Sequence, residues 1–600
     1  MIGVMDDTDR SRLPTLDPTV DTELRWLSEA ARVARQTAPD ERLDAARNTL
    51  LGADLPPSRT ETLLSLLSFQ LDTSGWSTEP AGPPAPATAP PRVPGVELGE
   101  RLGHGGMGSV WSGRLLAGRG GSEPVPVAVK TVHPHFLDRP ELRAQLHREI
   151  ELVAQLDHPG IAAIYDVVPA VHADGQSAPA IVMERADGVL GRLDAYRPLR
   201  DLLLQLLTAL GHAHAHGIVH LDVKPDNVLR FDDIVTSWRL GDFGVAHVGH
   251  GDGQARGTPA YMGPEQWLGS GLGPWSDLYA VGVMAWELVT GDRLLSPDFE
   301  PRFVVPRGLE AWLRWLRALH PEDRPQRAAE AKAALLQLDG HHAPLGLPRE
   351  VPQTLPPRLL PGAAGFGATA LRRGVMLGRQ PLRERLWQQL VAVDGGDGSD
   401  VVVIRGPEGA GRTRLAQWLA ATAHETGAVE VLQLAGGIGS LVDEVPTDQV
   451  GDHLGRLATY VASAGTVRTV VLVLDDIPDD DELWDWVADP RRPVPDGARV
   501  LAVAVADEGH ELPDDVGVID LSPLHLDHLS RLLRSRARLD DELALRIASH
   551  AHGWPGRAVA IVQRLVSEGA LQWGPAGHVL TDPATPLVAG RPRLEEAPPT

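Results

Sequence analysis

Two short segments place carboxylates, a lysine and an amide close together along the chain. Residues 219–227 have the sequence VHLDVKPDN, in which Asp222, Lys224 and Asn227 lie within six positions. A carboxylate can take a proton from a hydroxyl, a lysine can neutralise a phosphoryl group, and an amide oxygen can bind Mg²⁺. Asp242 follows an apolar run in LGDFG and offers a second oxygen ligand for Mg²⁺. The spacing predicts transfer of a phosphoryl group to a hydroxyl.

Glycines and a lysine upstream could hold the phosphates of a nucleotide. Two strand-like runs flank Gly103, Gly105 and Gly108, and such glycines let backbone N–H groups approach phosphate oxygens. The following apolar run, VPVAVK, ends at Lys130, whose ammonium needs an anionic partner in those surroundings. Glu149, in a later helical pattern, is the natural counter-ion, and an ordinary surface glutamate is the alternative.

Lysine is rare in this chain, which makes the two lysines above informative. Of the 56 basic residues only Lys130, Lys224 and Lys332 are lysine. A chain that almost always uses arginine keeps lysine where a compact point charge serves better than a planar guanidinium. This usage favours an active phosphoryl-transfer enzyme over a degenerate one.

These elements must be positioned by strands before Lys130 and by a leucine-rich helix before residue 219. In this order the motifs resemble those of Hanks-type (eukaryotic-like) bacterial serine/threonine protein kinases: the glycine-rich loop, VAVK, a helix glutamate, HLDVKPDN, DFG, GTPAYMGPE and DLYAVG. The resemblance covers residues 95–338. It implies a two-lobed kinase fold, ATP and Mg²⁺ as cofactors, and protein substrates that carry Ser or Thr hydroxyls.

The resemblance also assigns a role to each matching position. Asp222 would orient the substrate hydroxyl or accept its proton, and Lys224 would neutralise the transferring phosphoryl group. Asn227 and Asp242 would bind Mg²⁺. The residues that would bind ATP are Gly103, Gly105, Gly108, Val110, Lys130, Glu149, Met183 and Glu184. Two structural roles follow as well: an ion pair between Glu265 and Arg324, and bracing of the catalytic loop by Asp277.

One departure from the kinase pattern concerns activation. Leu221 stands where many kinases have the arginine that pairs with a phosphorylated activation loop. The segment Val245–Thr258 contains no Ser or Tyr, and its only Thr is Thr258, which matches a motif position. The two absences predict a kinase that does not need phosphorylation of this segment.

A second block contains a candidate phosphate loop. Residues 401–413 have the sequence VVVIRGPEGAGRT, an apolar run and a glycine-rich turn before a helical pattern. Gly406, Gly411 and Thr413 are in register with the GxxxxGK[ST] motif, but Arg412 occupies the lysine position. Arginine can still contact phosphate, although its shape makes productive γ-phosphate geometry harder. We therefore expect weak or absent hydrolysis, with nucleotide sensing or a structural role instead.

An acidic pair completes this candidate site. Residues 470–476, VVLVLDD, predict a buried strand ending in Asp475 and Asp476, which suit Mg²⁺ binding or mark a strand end at the solvent boundary. Together with Gly378-Arg379 and a late Trp554-Pro555-Gly556 motif, residues 375–575 resemble AAA-like P-loop ATPases of the STAND signalling type. The resemblance implies a doubly wound α/β domain; a nucleotide-free Rossmann-like fold is the alternative.

Composition limits the remaining possibilities. The chain has 600 residues with 56 basic and 80 acidic side chains, a formal net charge of −24, so its overall field does not attract nucleic acid. It has no cysteine, which excludes disulfides and thiolate sites. No apolar run approaches the about 18 residues that a membrane span needs, and the N-terminus is acidic. We expect a cytoplasmic protein.

Proline-rich stretches divide the chain. The predicted parts are a helical N-terminal segment (1–79), a linker (80–94), the kinase domain (95–338), a second linker (339–374), the P-loop NTPase-like domain (375–575) and a tail (576–600). The leading prediction is a multidomain α+β and α/β protein in which the second block regulates the kinase or drives self-association. The alternative is an ATP-binding signalling scaffold assembled through the second block.

Overall fold

The structure is a computed structural model, and it describes only part of the chain. The described residues are 30, 33, 42–52, 90–105, 108–115, 125–132, 156, 158–172, 175–232, 236–243, 258–268, 271–291, 299–339, 376–396, 399–435, 457, 460–461, 464–477, 498–510, 516–537, 539–574 and 577–588. Glu149, the segment 245–257 and most of both predicted linkers lie outside them. In the predicted N-terminal segment the described helix is α1 (Arg42–Leu51).

The chain forms two compact units. One comprises residues 1–89, 158–162 and 186–345, and the other comprises 90–157, 163–185 and 346–600. The predicted domain boundaries remain predictions.

An antiparallel five-stranded sheet carries the predicted phosphate-binding residues. Its strands are β1 (Val96–Gly105), β2 (Gly108–Leu115), β3 (Val125–Val132), β4 (Ile164–Val171) and β5 (Ser177–Glu184), in the order β1-β2-β3-β5-β4. Alternating valines of β3 and β5, such as Val127, Val129 and Val182, are fully buried in one apolar core. Strand β1 has register shifts before Gly103, where the glycine-rich turn begins.

A mainly helical region positions the predicted catalytic residues. Helix α2 (Tyr196–Ala215) buries leucines at helical spacing, and the short strands β6 (Gly188–Val189), β7 (Val228–Asp232) and β8 (Thr236–Leu240) form a small antiparallel sheet. The segment between α2 and β7 contains the VHLDVKPDN motif. The helices that follow are α3 (Pro264–Leu268), α4 (Pro274–Thr290), α5 (Leu309–Leu316) and α6 (Ala328–Gln337).

Helix α4 is the buried centre of this region. Its apolar residues are buried all round, which an interior helix requires. Pro274 starts the helix without losing a hydrogen bond, because the first-turn N–H groups have no intrahelical partner. Gly291 ends it in the left-handed conformation at φ 86°.

The second block contains a five-stranded parallel sheet. Helix α7 (Gln380–Asp394) precedes it, and its elements are β9 (Asp400–Arg405), α8 (Arg412–Thr426), β10 (Val429–Ala435), β11 (Thr469–Asp475), β12 (Val500–Ala506) and β13 (Gly517–Asp520). The strand order is β10-β11-β12-β9-β13. Apolar clusters cover the sheet on two faces. That this sheet belongs to a doubly wound P-loop NTPase-like domain remains a prediction.

The strand order locates the glycine-rich turn. Strand β9 pairs with β12 on one side and with β13 on the other, while the chain continues to β10 at the far edge. The turn after β9 therefore lies at the switch point of an open parallel sheet, where such sheets form a crevice for ligands.

Three helices and a hairpin follow the parallel sheet. They are α9 (Leu526–Ala537), α10 (Asp541–His550), α11 (Pro555–Ser567), β14 (Leu571–Gly574) and β15 (Gly577–Leu580), which share an apolar core. Among the helices described in this structure, none combines the length and the apolar composition that a membrane crossing requires.

Candidate active site

The carboxylate of Asp222 is held by three neighbouring side chains. Thr258 Oγ1 donates to Oδ1 at 2.7 Å. Lys224 Nζ and Asn227 Nδ2 donate to Oδ2 at 2.8 and 3.0 Å. A carboxylate offers about four acceptor positions, so these bonds leave one on Oδ1. Asp222 is therefore fixed in orientation and keeps an acceptor for a hydroxyl proton.

Lys224 and Thr258 form the other side of this network. Lys224 Nζ donates to Thr258 Oγ1 at 2.6 Å, and that hydroxyl in turn donates a hydrogen bond to Asp222 Oδ1. An ammonium has three donors, and these contacts use two of them. The third remains for an anionic oxygen. Thr258 matches a motif position in the sequence, but the sequence does not indicate this contact.

Asp277 positions the loop that carries Asp222. Its side chain is fully buried, and its carboxylate accepts hydrogen bonds from the backbone N–H groups of His220 and Leu221 at 2.9 and 2.7 Å. His214 Nε2 lies 2.8 Å from the same carboxylate. The predicted bracing role of Asp277 is thus confirmed, and a charged acceptor explains why three donors converge on it.

His220 ties the loop to the segment after β8. Its Nδ1 accepts the N–H of Asp222 at 3.2 Å, so Nε2 carries the ring proton and donates to the carbonyl of Gly241 at 3.0 Å. The backbone N–H of Gly241 donates to the carbonyl of Asn227 at 2.8 Å. These two bonds bring Gly241, the residue before Asp242, next to the Asp222–Asn227 turn.

Leu221 adopts a strained backbone conformation. Its φ of 62° lies in the left-handed region, which costs a non-glycine residue about 1 kcal/mol or more. The N–H of Leu221 is held by Asp277, and its carbonyl accepts from Gln266 Nε2 at 2.9 Å. Gln266 is a positioning residue that was not predicted, because nothing in the GPEQW sequence indicates that this polar side chain is buried and turned towards the loop.

The predicted ion pair between Glu265 and Arg324 is confirmed. Arg324 donates from Nη1 and Nη2 to the two carboxylate oxygens at 2.7 and 3.0 Å, and both side chains are buried. The guanidinium also donates to the carbonyls of Ala318 and Leu319. This pair fixes the segment that carries Gln266.

Asn227 and Asp242 provide oxygen ligands of the kind that Mg²⁺ takes. The amide of Asn227 turns its Nδ2 towards Asp222, so its oxygen faces away from those bonds. Asp242 is exposed and has φ 55°. Within the described residues no group of three or more acidic, histidine or cysteine side chains could hold a metal ion. Mg²⁺ needs only one or two protein oxygens when phosphates and waters complete its shell, so the donor set fits.

The antiparallel sheet carries the predicted ATP-binding residues in register. Lys130 on β3 lies opposite Val110 on β2 and Ile181 on β5, and Gly103 on β1 lies opposite Val110. Gly105 pairs with Gly108 across the turn. The pairing places Lys130 and Val110 side by side. The predicted partner Glu149 lies outside the described residues.

Two predicted ATP-binding residues have structural contacts of their own. A Cβ on Gly108 would lie 1.9 Å from the carbonyl oxygen of Thr131, whereas one on Gly103 would meet nothing within 4 Å. Gly108 is therefore required by the sheet, and the space at Gly103 remains open. Glu184 follows Met183 at the end of β5, and its carboxylate accepts the N–H of Ala163 at 3.3 Å.

The second block brings part of its predicted site together. Thr413 Oγ1 donates to Asp475 Oδ1 at 3.1 Å, and Gly411 precedes α8 in the left-handed conformation at φ 92°. Gly406 lies against Leu521.

Burial raises the pKa of Asp475, and the hydrogen bond from Thr413 opposes that rise. Asp476 follows at φ 53° with its N–H bonded to Asp475 Oδ1 at 3.1 Å.

Arg412 is turned towards strand β12. Its Nη1 donates to the carbonyl of Ala506 at 2.6 Å and forms an ion pair with Asp507.

Two further contacts hold the glycine-rich turn itself. Arg379 Nη2 donates to the carbonyl of Ala410 at 3.3 Å, and the N–H of Gly556 donates to the carbonyl of Gly409 at 2.8 Å.

Comparisons with known proteins cover the part of the chain that contains Asp222. Residues 96–305 match the family model described as the protein kinase domain. Serine/threonine-protein kinase Pkn1 of Myxococcus xanthus is 36% identical over 298 residues, 44% of this chain and 41% of that protein. Serine/threonine-protein kinase PknA of Mycobacterium tuberculosis is 37% identical over 228 residues, 35% of this chain and 51% of that protein.

Among solved structures, the kinase domain of Mycobacterium tuberculosis PknI is 27% identical, with a TM-score of 0.34 over 43% of this chain and 100% of that domain. The chain spans about half the length of the curated relatives it matches. It contains a protein kinase domain whose relatives are bacterial serine/threonine kinases, a family that uses ATP and Mg²⁺.

Proposed function

We propose that the chain is a serine/threonine protein kinase that transfers the γ-phosphoryl group of ATP to protein hydroxyls. The observation that carries this proposal is the closed network of Asp222, Lys224, Asn227 and Thr258. A scaffold that only bound ATP would have no need to hold a carboxylate with three donors and keep one acceptor position open. The matched kinase domain and the serine/threonine kinase relatives support the same activity.

The chemistry at this site follows from the available donors and acceptors. Asp222 orients the substrate hydroxyl through the remaining position on Oδ1 and takes its proton as the oxygen attacks the γ-phosphorus, while the bond from that phosphorus to the ADP oxygen breaks and ADP leaves. The third donor of Lys224 stabilises negative charge on the phosphoryl oxygens. Thr258 keeps both side chains at fixed separation, so neither must reorganise during the reaction.

Asn227 and Asp242 would hold Mg²⁺, and Lys130 with the glycines of β1 and β2 would hold the ATP phosphates. When bound, Mg²⁺ supplies positive charge that neutralises the phosphates. The compact ammonium of Lys130 suits a phosphate pocket better than the arginine this chain uses elsewhere. Val110, which lies beside Lys130 in the sheet, would contact the nucleotide, and Met183 and Glu184 would border the adenine.

Labelled-phosphate transfer tests the proposal. The full chain is incubated with Mg²⁺, labelled ATP and a basic protein acceptor, alongside Asp222→Asn. We expect transfer by the wild type and a loss of about a thousandfold or more in Asp222→Asn with ATP binding retained, because the general base and its orientation are both lost. Wild-type protein that binds ATP but transfers no phosphate would favour the scaffold alternative.

We further propose that the kinase works without activation-loop phosphorylation. Leu221 is buried and carries no charge, so it cannot pair with a phosphate. The strained Leu221 backbone is held by Asp277 and Gln266 instead. Phosphatase treatment of the purified chain should leave the initial rate of transfer within about twofold, a change too small for a switch of the usual size. A tenfold loss would show that phosphorylation is needed.

For the second block we propose a nucleotide-binding, regulatory role. Its strand order, the turn at the switch point and the Thr413–Asp475 contact support a P-loop NTPase-like domain of the STAND type. Self-association through this block is the corresponding partner proposal. Arg412→Ala should change the rate of phosphoryl transfer if the block regulates the kinase, and light scattering with and without ADP would detect assembly. An unchanged rate and mass would contradict this role.

A further inference from the structure

The contacts of Arg412 assign a function to a residue that the sequence motifs do not mark. Asp507 directly follows strand β12, at the same edge of the parallel sheet as the phosphate loop after β9. Its carboxylate pairs with Arg412, and the neighbouring carbonyl of Ala506 accepts from the same Nη1 at 2.6 Å. The cation that a phosphate loop presents to its ligand is thus bound to the protein's own anion.

We propose that Asp507 is an internal counter-ion that competes with nucleotide phosphate for Arg412 and sets the affinity of the second site. This inference rests on the proposed nucleotide-binding role of the second block. The phosphate groups of a nucleotide would have to displace the Asp507 carboxylate from Arg412. The Asp507 carboxylate would also repel the phosphates, because its negative charge lies beside Arg412, the cation of the loop. Both effects weaken binding.

Exposure shows which partner can leave. The Arg412 side chain is 16% exposed and anchored by the Ala506 carbonyl, whereas the Asp507 side chain is 75% exposed. A largely solvated carboxylate gains little from its ion pair, so the pair can open without disrupting the sheet. The arginine would stay near the loop and become available to phosphate.

A second cation lies beside the loop. Arg379 is buried and donates to the loop carbonyl of Ala410, and burial lowers its pKa. Within the described part of the chain no carboxylate pairs with it. A buried guanidinium beside the loop, without a counter-ion, is stabilised when an anionic ligand binds the adjacent backbone.

Isothermal titration of the full chain with ADP and Mg²⁺ tests the proposal in a Lys130→Met background, which weakens the kinase site. We expect Asp507→Asn to bind ADP at the second site about tenfold more tightly, equivalent to about 1.4 kcal/mol. Asp507 is exposed, so folding is preserved, and thermal unfolding of each variant checks this.

The matched control is Asp520→Asn. Asp520 also pairs with an arginine at this edge of the sheet, with Arg405 Nε 2.7 Å from its Oδ1 and a side-chain exposure of 66%. The Asp520→Asn variant removes the same charge without releasing Arg412, so its affinity for ADP should stay within about twofold of that of the Lys130→Met parent. The double variant Asp507→Asn, Arg412→Ala should lose the gain.

Three results would overturn the inference. The first is an equal gain in ADP affinity in Asp507→Asn and Asp520→Asn. The second is a gain in affinity that persists in the double variant. The third is that no variant binds ADP at the site of the second block. The last result would also contradict the proposal that the second block binds a nucleotide. None of them affects the kinase proposal, which depends on transfer by the wild type and its loss in Asp222→Asn.

Discussion

Replacing Asp277 by alanine should loosen the catalytic loop more than any exposed change in the same region. The buried carboxylate accepts two backbone N–H groups of the loop and contacts His214 Nε2. The alanine variant leaves all three groups buried without their charged acceptor. Removing one member of a buried, hydrogen-bonded charged network costs about 3–5 kcal/mol. The strained φ of Leu221 would then lose one of its two restraints.

Hydrogen exchange of peptides covering residues 216–228 measures this effect locally, so the unfolding of other domains does not interfere. A loss of 3 kcal/mol raises the population of the open loop about a hundredfold, and exchange should accelerate by at least that factor. Phosphoryl transfer should fall with it, because Asp222 lies on the same loop.

Asp232→Ala is the matched control. That carboxylate pairs with Arg230 at 3.2 Å, with side chains 43% and 48% exposed, and such pairs contribute about 0–1 kcal/mol. Asp277→Asn keeps one acceptor oxygen and should fall between the two. If exchange in Asp277→Ala stays within threefold of the control, the bracing argument is wrong.

Other predictions address the remaining parts of the molecule. Arg324→Ala strands the buried Glu265 carboxylate and should lower the free energy of unfolding by about 3–5 kcal/mol, measured by urea denaturation; a change below about 1 kcal/mol would contradict it. Gly108→Ala should disrupt the antiparallel sheet, because its Cβ would lie 1.9 Å from a backbone oxygen of β3, whereas Gly103→Ala should fold normally, and circular dichroism with thermal melting separates the two. Because burial raises the pKa of Asp475 above 3.8, its stabilising contribution is present at low pH and is lost as pH rises through the folded-state pKa. Asp475→Asn should therefore raise the unfolding midpoint of the second block at pH 7, and the difference from wild type should vanish below pH 3.8; a stabilisation that does not depend on pH would refute burial as its cause.

Much of the site could be predicted because its chemistry is local in sequence. Asp222, Lys224 and Asn227 lie on one short turn, so their types and spacing already indicated phosphoryl transfer. The parallel sheet of the second block was likewise signalled by apolar runs such as VVVIR and VVLVLDD, because strands buried on both faces need continuous apolar sequence. Gln266 could not be found in this way, since its contact with Leu221 joins residues 45 positions apart.

The sequence by itself determined which groups are present and what reaction they suit: a carboxylate, two lysines and amide and carboxylate oxygens of the kinds that phosphoryl transfer with Mg²⁺ would use. Only the tertiary structure decided how those groups are used. Long-range packing places Thr258 between Lys224 and Asp222 and turns Arg412 towards Asp507. It also brings the Asp277 carboxylate into contact with the backbone of the loop that carries Asp222. Side-chain direction and charge pairing depend on which elements pack together. A motif specifies the residue at a position, whereas the fold specifies the partner that the residue meets.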